Sequence, residues 1–368
     1  LMTIAGSTLR IIASSDDPVE TATILRTAIF HDAAVFIGVG ALLTWIVSRN
    51  ISRSMDEIIR VLKHIRNRDL DQKVRVTASD EIGYAGDVIN EMAEGLKERD
   101  AMRQSLNLAR EVQQQLLPPA DIVTGDGLQI AGRSVYCDET GGDYFDIFPM
   151  AMDGQPHMAV TVGDVAGHGI PSALLMATVR GGLRQRASLP GTPAEIVTDV
   201  NRQLARDVKE SGQFMTLFFA VFNQQKPTLT WVRAGHDPAL LYDPQNDSFK
   251  TLKGEGTALG IDDSWVYGST DLKRFGPGHV LLIGTDGIWE ARNRSNKMFG
   301  KNTLRNLIRQ HARLDARRIR DTILDALASF QEDRRPEDDV TLIVVKRGTA
   351  SARDPQDPAR ADHDMDSK

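Results

Sequence analysis

The chain has 368 residues, of which 41% are hydrophobic and 26% are charged, and its 44 basic and 50 acidic side chains give a formal net charge of −6. This length allows two or three folding units, and this composition excludes a wholly disordered protein. The acidic balance argues against a nucleic-acid partner, which usually requires a basic surplus. Cys137 is the only cysteine, which excludes an intrachain disulfide and a thiolate zinc site and suits a reducing compartment.

An apolar segment near the N-terminus predicts a transmembrane helix over residues 28–48. Its centre, Ala33–Val47, carries no charged residue, and the preceding turn brings the apolar stretch close to the length of a membrane-spanning helix. Residue 1 is Leu rather than Met, so residues 1–27 are expected to be the end of a truncated extracytoplasmic segment. Six basic residues follow the apolar segment and two precede it, which places its C-terminal side in the cytoplasm. These are Arg49, Arg53, Arg60, Lys63, Arg66 and Arg68 after it, and Arg10 and Arg26 before it. The alternative is a buried core helix.

Two short heptad seams follow the apolar segment. The apolar residues are Ile51, Met55, Ile58, Leu62 and Ile65 in the first seam, and Ile82, Ala85, Ile89, Met92 and Leu96 in the second. Each seam is too short for a stable isolated coiled coil, so the two must bundle, and a parallel homodimer would supply four helices. The sequence around RDLDQKV and Asp80–Gly83 resembles a HAMP domain, a signal relay, over residues 49–97. The alternative is a charged helical spacer.

A linker helix is predicted next, and it leads into a mixed domain. The heptad phase breaks at Arg99, apolar residues resume at Met102, and Pro118-Pro119 end the helix, which gives a linker over residues 98–119. Strands are predicted at Leu128–Arg133, His157–Val162, Phe214–Phe222, Thr228–Arg233, His279–Thr285 and Val340–Val345. Helices are predicted at about Pro171–Ala187, Pro193–Lys209, Asn302–His311 and Ala316–Phe330. Sheets flanked by helices are therefore expected over residues 120–347, followed by a disordered, apolar-poor tail over 348–368.

Four acidic motifs stand at predicted strand ends beside small residues. They are Gly141-Gly142-Asp143-Tyr144-Phe145-Asp146, Val162-Gly163-Asp164-Val165-Ala166-Gly167-His168-Gly169, Ile283-Gly284-Thr285-Asp286-Gly287 and Asp338-Asp339-Val340-Thr341. Strand ends from distant parts of a chain can converge, and converging carboxylates repel one another unless a cation is present. Oxygen ligands without Cys or clustered His select hard ions such as Mg²⁺ or Mn²⁺. Any one of these motifs alone would suggest only a turn, whereas all four together predict a metal site.

In this order the motifs resemble the PPM (PP2C-like) metal-dependent phosphatases, in the bacterial branch of the RsbU and SpoIIE type. The resemblance also includes the runs EVQQQLLP at Glu111–Pro118, FMTLFFAVF, AGHDP and ALGI. It implies an α+β fold, an αββα sandwich, with two Mn²⁺ or Mg²⁺ ions at one edge of the sheets. It further implies that Asp164 bridges both ions and that the carbonyl of Val165 completes one of them. Asp286 and Asp338 would hold the other ion, and Asp143 would orient a metal-bound water; Asp146 is a weaker candidate, and Asp339 is expected to cap the turn.

The resemblance implies hydrolysis of phosphoserine or phosphothreonine on a partner protein, an anti-sigma-factor antagonist of the STAS type, by a phosphatase domain on the cytoplasmic side of a bacterial inner membrane. Attack by a metal-activated hydroxide needs no protein nucleophile. The sequence departs from the eukaryotic relatives at two positions. Ala166 replaces a histidine, and Cys137–Thr140 stand directly before the first acidic motif, where those relatives have an arginine that grips phosphate. His168 and His236 are each left open between a structural role and one in the reaction, acid catalysis for His168 and substrate contact for His236, and Cys137 is interpreted as a non-catalytic thiol.

Three other functions agree less well with the motifs of the sequence. GGDYF at Gly141–Phe145 resembles the GGDEF signature of diguanylate cyclases, but Tyr144 replaces one of the adjacent acids that the cyclase needs. A histidine kinase would need a glycine-rich ATP lid after the linker. A phosphatase-like scaffold that binds a regulatory partner without catalysis is the main alternative, and the presence of all four acids argues against it.

Overall fold

A computed structural model describes residues 18–75, 80–332, 334 and 336–348. The chain divides into two compact units, Leu1–Gln104 and Ser105–Lys368. The predicted segment over residues 1–27 lies partly, and the predicted tail over 348–368 almost wholly, outside the described residues.

The first unit is built from two long helices. Helix α1 spans Pro18–Arg66, and helix α2, which continues into the second unit, spans Glu81–Leu116. Within α1 the segment Leu25–Arg66 is long and apolar enough, by length and composition, to cross a membrane, and its most apolar window has no buried residue.

The two predicted seams pack against each other through only part of their apolar residues. Ile58, Val61 and Val74 form a small buried cluster against Ile65, Ile82, Ala85 and Ile89. Asn90 fixes the connector, because its side chain accepts from the amide of Val74 at 2.8 Å and donates to the carbonyl of the same residue at 3.1 Å. The remaining seam residues are exposed in the single chain: Ile51, Met55, Leu62, Met92 and Leu96.

The described part of the second unit contains eleven strands and four further helices. The strands are β1 Asp121–Val123, β2 Leu128–Val135, β3 Tyr144–Met152, β4 Gln155–Val165, β5 Met215–Asn223, β6 Leu229–Ala234, β7 Ala239–Asp243, β8 Ser248–Leu252, β9 Thr270–Leu272, β10 Val280–Gly284 and β11 Val340–Arg347. The helices are α3 Ile170–Ala187, α4 Pro193–Asp207, α5 Gly300–His311 and α6 Ala316–Gln331. Thr192 begins α4 with a capping box, in which Glu195 returns a hydrogen bond to the cap.

The strands form two antiparallel sheets in a four-layer sandwich. One sheet has the order β1-β2-β11-β10-β7-β8 and the other β3-β4-β5-β6-β9. Apolar residues of both inner faces, such as Phe145, Phe218 and Ile343, form a core between the sheets. Helices α3 and α4 cover the outer face of the five-stranded sheet, and α5 and α6 cover that of the six-stranded sheet. The predicted αββα sandwich is confirmed.

The element predictions were right for six strands and for the four helices of the second unit, and they missed β1, β3, β7, β8 and β9. All six predicted strands and all four predicted helices exist, with ends within a few residues of the prediction. Strand β3 was missed because its acids and Pro149 suggest a turn, and β7 and β8 were missed because each has only five residues. Helix α2 runs unbroken through Arg99, so the linker predicted over residues 98–119 continues directly from the second seam, and its boundary at residue 98 stays a prediction. A change of heptad phase alters the buried face of a helix but need not end it.

Candidate active site

The four acidic motifs come together as two pairs, one from each sheet. Asp143 lies just before β3 and Asp164 near the end of β4, and these strands are antiparallel neighbours that pair Tyr144 with Gly163. Asp286 follows β10 and Asp338 precedes β11, and these strands pair Gly284 with Leu342. Each pair therefore stands at one end of two neighbouring strands in its own sheet.

Close backbone contacts join the motif loops and explain two of their glycines. A Cβ atom on Gly142 would lie 2.8 Å from the carbonyl oxygen of Val165, so the first motif packs directly on the second. A Cβ atom on Gly287 would overlap the carbonyl oxygen of Asp339, so the third motif packs on the fourth. Residues with side chains would separate these loops, and the acids on them.

Asp339 holds the first motif in place. Its buried carboxylate accepts hydrogen bonds from the amides of Cys137 at 2.8 Å and Gly142 at 3.0 Å. The sequence predicted that Asp339 caps its own turn, whereas it caps the loop before β3, almost two hundred residues earlier in the chain. The amide of Asp339 in turn donates to Asp338 at 2.8 Å.

Asp143 is buried and accepts a hydrogen bond from Thr285, which is itself hydrogen-bonded to Thr341. The hydroxyl of Thr285 donates to Asp143 Oδ2 at 2.8 Å, and the amide of Thr341 donates to the same hydroxyl oxygen at 3.0 Å. Burial, and then the charges of Asp164 and Asp339, raise the pKa of Asp143 well above its usual value. Two sheets thus contribute to fixing one carboxyl group.

Asp164 lies at the electrostatic centre of the cluster. Burial, and then the charges of Asp286, Asp338 and Asp339, raise the pKa of its carboxyl group to about 7. Burial and then Asp338 also raise the pKa of Asp286. Asp338 is exposed as a residue, but partial desolvation of its carboxyl group, followed by the charges of Asp339 and Glu290, raises its pKa as well. At neutral pH these carboxylates repel one another.

The donor set suits a hard divalent cation. Within the ranges that the structure describes, no three His, Cys, Asp or Glu side chains lie closely enough to hold an ion as they stand. The acids nevertheless act on one another's pKa values, the carbonyl of Val165 lies against the first motif, and all of these donors are oxygens. A divalent cation among them would remove the repulsion that raises the pKa values. The assignment of these residues as metal ligands stays a prediction.

Asp146, the weaker candidate, belongs to an ion pair instead. Both of its oxygens accept hydrogen bonds from Arg184, at 2.7 and 2.6 Å, and the hydroxyl of Tyr144 donates to it at 3.0 Å. Arg180 approaches to 3.8 Å. This buried carboxylate therefore has its own cations and anchors helix α3 to strand β3.

The two histidines occupy different environments. His236 is buried, with Nδ1 2.8 Å from the hydroxyl of Thr216 and Nε2 3.1 Å from the carbonyl of Gly284. Burial lowers the pKa of His236 to about 4, so the ring is a neutral structural link between the sheets. His168 is exposed, with Nδ1 3.2 Å from Asp138, and its charge acts on Asp338. Burial raises the pKa of Cys137 to about 12, in agreement with a thiol that takes no part in catalysis.

Gln113 is a site residue that the sequence interpretation missed. Its buried amide donates to the carbonyl of Gly141 at 2.7 Å and accepts from the amide of the same residue at 3.3 Å. Helix α2 is thereby bonded to the loop that carries Asp143. The sequence held a sign of this role. Position 113 continues the 4-3-4-3 spacing of Met102, Leu106, Ala109 and Leu116, where an apolar residue is expected, yet it is occupied by Gln113.

Comparison with known proteins decides the family. The model of the SpoIIE family, described as stage II sporulation protein E, matches residues 154–348, which is more than half of the chain. The chain belongs to the SpoIIE family. A HAMP domain matches residues 46–98, so the predicted combination of a HAMP domain and a PP2C-like phosphatase domain is confirmed. The matched region contains Asp164, Asp286 and Asp338, while Asp143 lies before it.

Several relatives share this region. Phosphoserine phosphatase RsbU of Bacillus subtilis is 29% identical over 249 residues, which cover 67% of this chain and 71% of RsbU. Protein IcfG of Synechocystis sp. is 25% identical and covers 92% of this chain, and phosphoserine phosphatase RsbP of Bacillus subtilis is 23% identical and covers 66% of it. The chain spans only 58% of the length of each of the latter two proteins.

Solved structures confirm the fold. The SiaA-PP2C domain of Pseudomonas aeruginosa has a TM-score of 0.57 at 22% identity, covering 68% of this chain and 98% of that domain. The RsbU and RsbW domains of Rv1364c from Mycobacterium tuberculosis have a TM-score of 0.52 at 24% identity and cover 62% of each chain. The first of these likenesses is to a domain named PP2C, which is the architecture that the sequence predicted.

Proposed function

We propose that this chain is a membrane-anchored serine/threonine protein phosphatase that hydrolyses a phosphorylated regulatory protein with the aid of two Mn²⁺ or Mg²⁺ ions. The observation that carries the proposal is the convergence of Asp164, Asp286 and Asp338, where burial, and then the repulsion between these acids, raises the pKa of Asp164 to about 7. Clustered carboxylates with displaced pKa values are typical of functional sites. The relatives RsbU and RsbP are named phosphoserine phosphatases, which favours the same substrate class.

The acidic residues would share the two ions in a defined way. Asp164 would bridge both, the carbonyl of Val165 would complete one, and Asp286 and Asp338 would hold the other, with Asp143 acting through a water molecule. When bound, the ions would lower the pKa of a water molecule and offset negative charge on the phosphoryl group. The buried hydrogen bond from Thr285 keeps Asp143 fixed, so its carboxyl group can orient water without moving.

A phosphorylated antagonist of an anti-sigma factor, of the STAS type, is the proposed partner. Support comes from the RsbU-type relatives, together with the HAMP domain that precedes the phosphatase domain. Helix α1, which is long and apolar enough to cross a membrane and is followed by basic residues, supports a place in the bacterial cytoplasmic membrane with the phosphatase domain inside. The exposed seam residues support a parallel homodimer through the HAMP segment and the linker.

The direct test is metal-dependent hydrolysis. The full chain, purified in detergent, is expected to hydrolyse p-nitrophenyl phosphate only with Mn²⁺ or Mg²⁺, and EDTA should abolish the activity until excess metal is returned. Full activity in thoroughly chelated buffer would contradict the two-ion assignment. Absence of hydrolysis with either ion, in a folded protein, would favour the phosphatase-like scaffold.

A further inference from the structure

A cavity of about 250 Å³ opens beside the candidate metal site, between helix α5 and the six-stranded sheet. Its lining residues are Pro238, Leu240, Thr251, Leu282, Gly284, Trp289, Lys301, Leu304 and Arg305. Gly284 ends strand β10 two residues before Asp286, and Trp289 follows Asp286 by three residues. The cavity therefore borders the site on its Asp286 side.

The walls of this cavity are apolar and its rim is cationic. Leu282 is buried in the wall, and Leu304 faces it from helix α5. Lys301 Nζ lies 4.4 Å from the centre of the Trp289 ring and 2.8 Å from Asp237. The first turn of α5 contains no acidic residue, so the positive end of the helix adds to the cationic rim.

Arg305 is the rim residue whose charge is least satisfied. Its Nε atom is buried and has no hydrogen-bond partner among the described residues. The hydrogen bond of Arg305 to a side chain is a long one, 3.4 Å from Nη1 to the oxygen of Asn302. A buried guanidinium nitrogen that lacks an acceptor calls for an anionic or polar ligand.

The cavity is also coupled to the metal site. Asp237, which holds Lys301, is close enough to Asp286 for its charge to raise the pKa of that carboxyl group. A group bound at the rim would therefore lie within electrostatic range of the candidate ligands. The cavity volume is below the range of about 300–1,000 Å³ that is typical of small-molecule sites, so it suits one or two amino-acid side chains.

We propose that this cavity, the flanking-residue pocket, binds the polypeptide next to the phosphorylated residue of the substrate. An aliphatic side chain would pack against Leu282 and Leu304, and a neighbouring carboxylate would pair with Arg305 and Lys301. No arginine stands directly before the first acidic motif, and the cationic rim of this pocket would supply a contact to substrate charge outside the metal site. The inference rests on the proposed function and adds to it a substrate class, phosphoproteins with an aliphatic-acidic pair near the phosphoserine.

The test uses synthetic phosphoserine peptides rich in alanine. In one series a Leu-Glu pair is moved through each position near the phosphoserine, and in the other a Leu-Lys pair replaces it. The full chain with Mn²⁺ is expected to show one register in which kcat/KM for the Leu-Glu peptide exceeds that for the Leu-Lys peptide by about tenfold or more. Arg305→Glu should reverse this preference, mainly through KM, and Lys301→Gln should weaken it.

The matched control is Arg309→Glu, on the same helix. Arg309 pairs with Asp247 at 2.7 Å and does not line the pocket, so its reversal should leave the peptide preference unchanged. Hydrolysis of p-nitrophenyl phosphate, which is too small to reach the pocket and the site together, should change far less than the peptide preference in the two pocket variants, because only the electrostatic effect of the rim on the metal site remains. Thermal unfolding of each variant separates a recognition effect from misfolding.

Equal kcat/KM for the two peptide series at every register, or equal effects of Arg305→Glu and Arg309→Glu, would overturn the inference. Failure of the wild-type chain to hydrolyse p-nitrophenyl phosphate would instead contradict the proposed function. In that case the dissociation constants of fluorescent forms of the same peptides still test whether the pocket recognises the Leu-Glu pair. A Leu-Glu preference that Arg305→Glu reverses would support it, and no preference would refute it.

Discussion

Two buried acidic regions on the five-stranded sheet differ in how their charge is balanced. Asp146 is surrounded by Arg184, Arg180 and the hydroxyl of Tyr144, which together satisfy its carboxylate. Asp164, on the neighbouring strand, has other acids as its main charged neighbours, and they raise its pKa. A buried acid with its own cations keeps its charge at little net cost, whereas a cluster of unpaired acids costs stability and points to a function that a bound cation completes.

The largest expected effect is the loss of activity on changing Asp164, in the region whose charge is unbalanced. Asp164→Asn removes the charge that would lie between two cations, so kcat should fall by about a thousandfold or more while the protein remains folded. Steady-state rates on p-nitrophenyl phosphate with saturating Mn²⁺, together with circular dichroism, measure both properties. A variant with more than a tenth of the wild-type rate would show that Asp164 is not the bridging ligand.

The same substitution in the balanced region should act on stability instead. Asp146→Asn leaves Arg184 without its carboxylate, and because that guanidinium is partly exposed we expect a loss of about 2–3 kcal/mol in the free energy of unfolding. Urea denaturation of the full chain checks this value. The folded fraction should keep a near-normal kcat, and a loss of activity as large as that of Asp164→Asn would place Asp146 in the active site.

Metal binding should offset the repulsion around Asp164, which the Asp146 region lacks, and the stability that it restores should depend on pH. A carboxyl group with a raised folded-state pKa stabilises the protein fully below its unfolded value of 3.8, and this contribution is lost as the pH rises through the folded-state pKa, about 7 for Asp164. The metal-free protein should therefore lose a few kcal/mol between pH 5 and pH 8, and Mg²⁺ or Mn²⁺ should restore it.

Differential scanning calorimetry measures this coupling without any assay of activity. The increase in Tm on adding Mg²⁺ should be larger at pH 8 than at pH 5.5, and Asp164→Asn should nearly abolish the difference. The Asp146→Asn variant is the control, since its metal response should match that of the wild type. An increase in Tm that does not depend on pH would mean that ions bind elsewhere.

The smallest effect is expected in the helical region that leads to the site. Gln113 bonds helix α2 to Gly141, so the rotation of this helix could position the loop that carries Asp143. Four residues inserted near Arg99 add about one helical turn and should preserve activity better than two residues, which rotate the following segment by more than half a turn. Rates on a phosphoprotein substrate measure the difference. Equal rates for both insertions, with a monomeric mass in solution, would make the linker a simple tether.

The sequence alone predicted the long apolar strands, the heptad seams and the acids beside glycines, because these features depend on local periodicity and turn chemistry. It ranked Asp143 above Asp146, which lies three residues further in the same motif, only through the family resemblance and gave no physical reason for the difference. Tertiary structure decided that question. Alternation along β3 places Tyr144, Asp146 and Phe148 on the side facing helix α3, where Arg184 lies, whereas Asp143 precedes the strand and meets Thr285 from the other sheet.

The remaining roles also depend on contacts between distant residues. Asp339 caps a loop almost two hundred positions away, His236 links the two sheets as a buried neutral ring, and Gln113 joins a helix to the first acidic loop. Each is a polar residue in an ordinary local context, and only long-range packing buries it and selects its partner. The residue types at the site were therefore determined by the sequence, whereas the partners that make one acid structural and its neighbour a candidate metal ligand were decided by the packing of two sheets against each other.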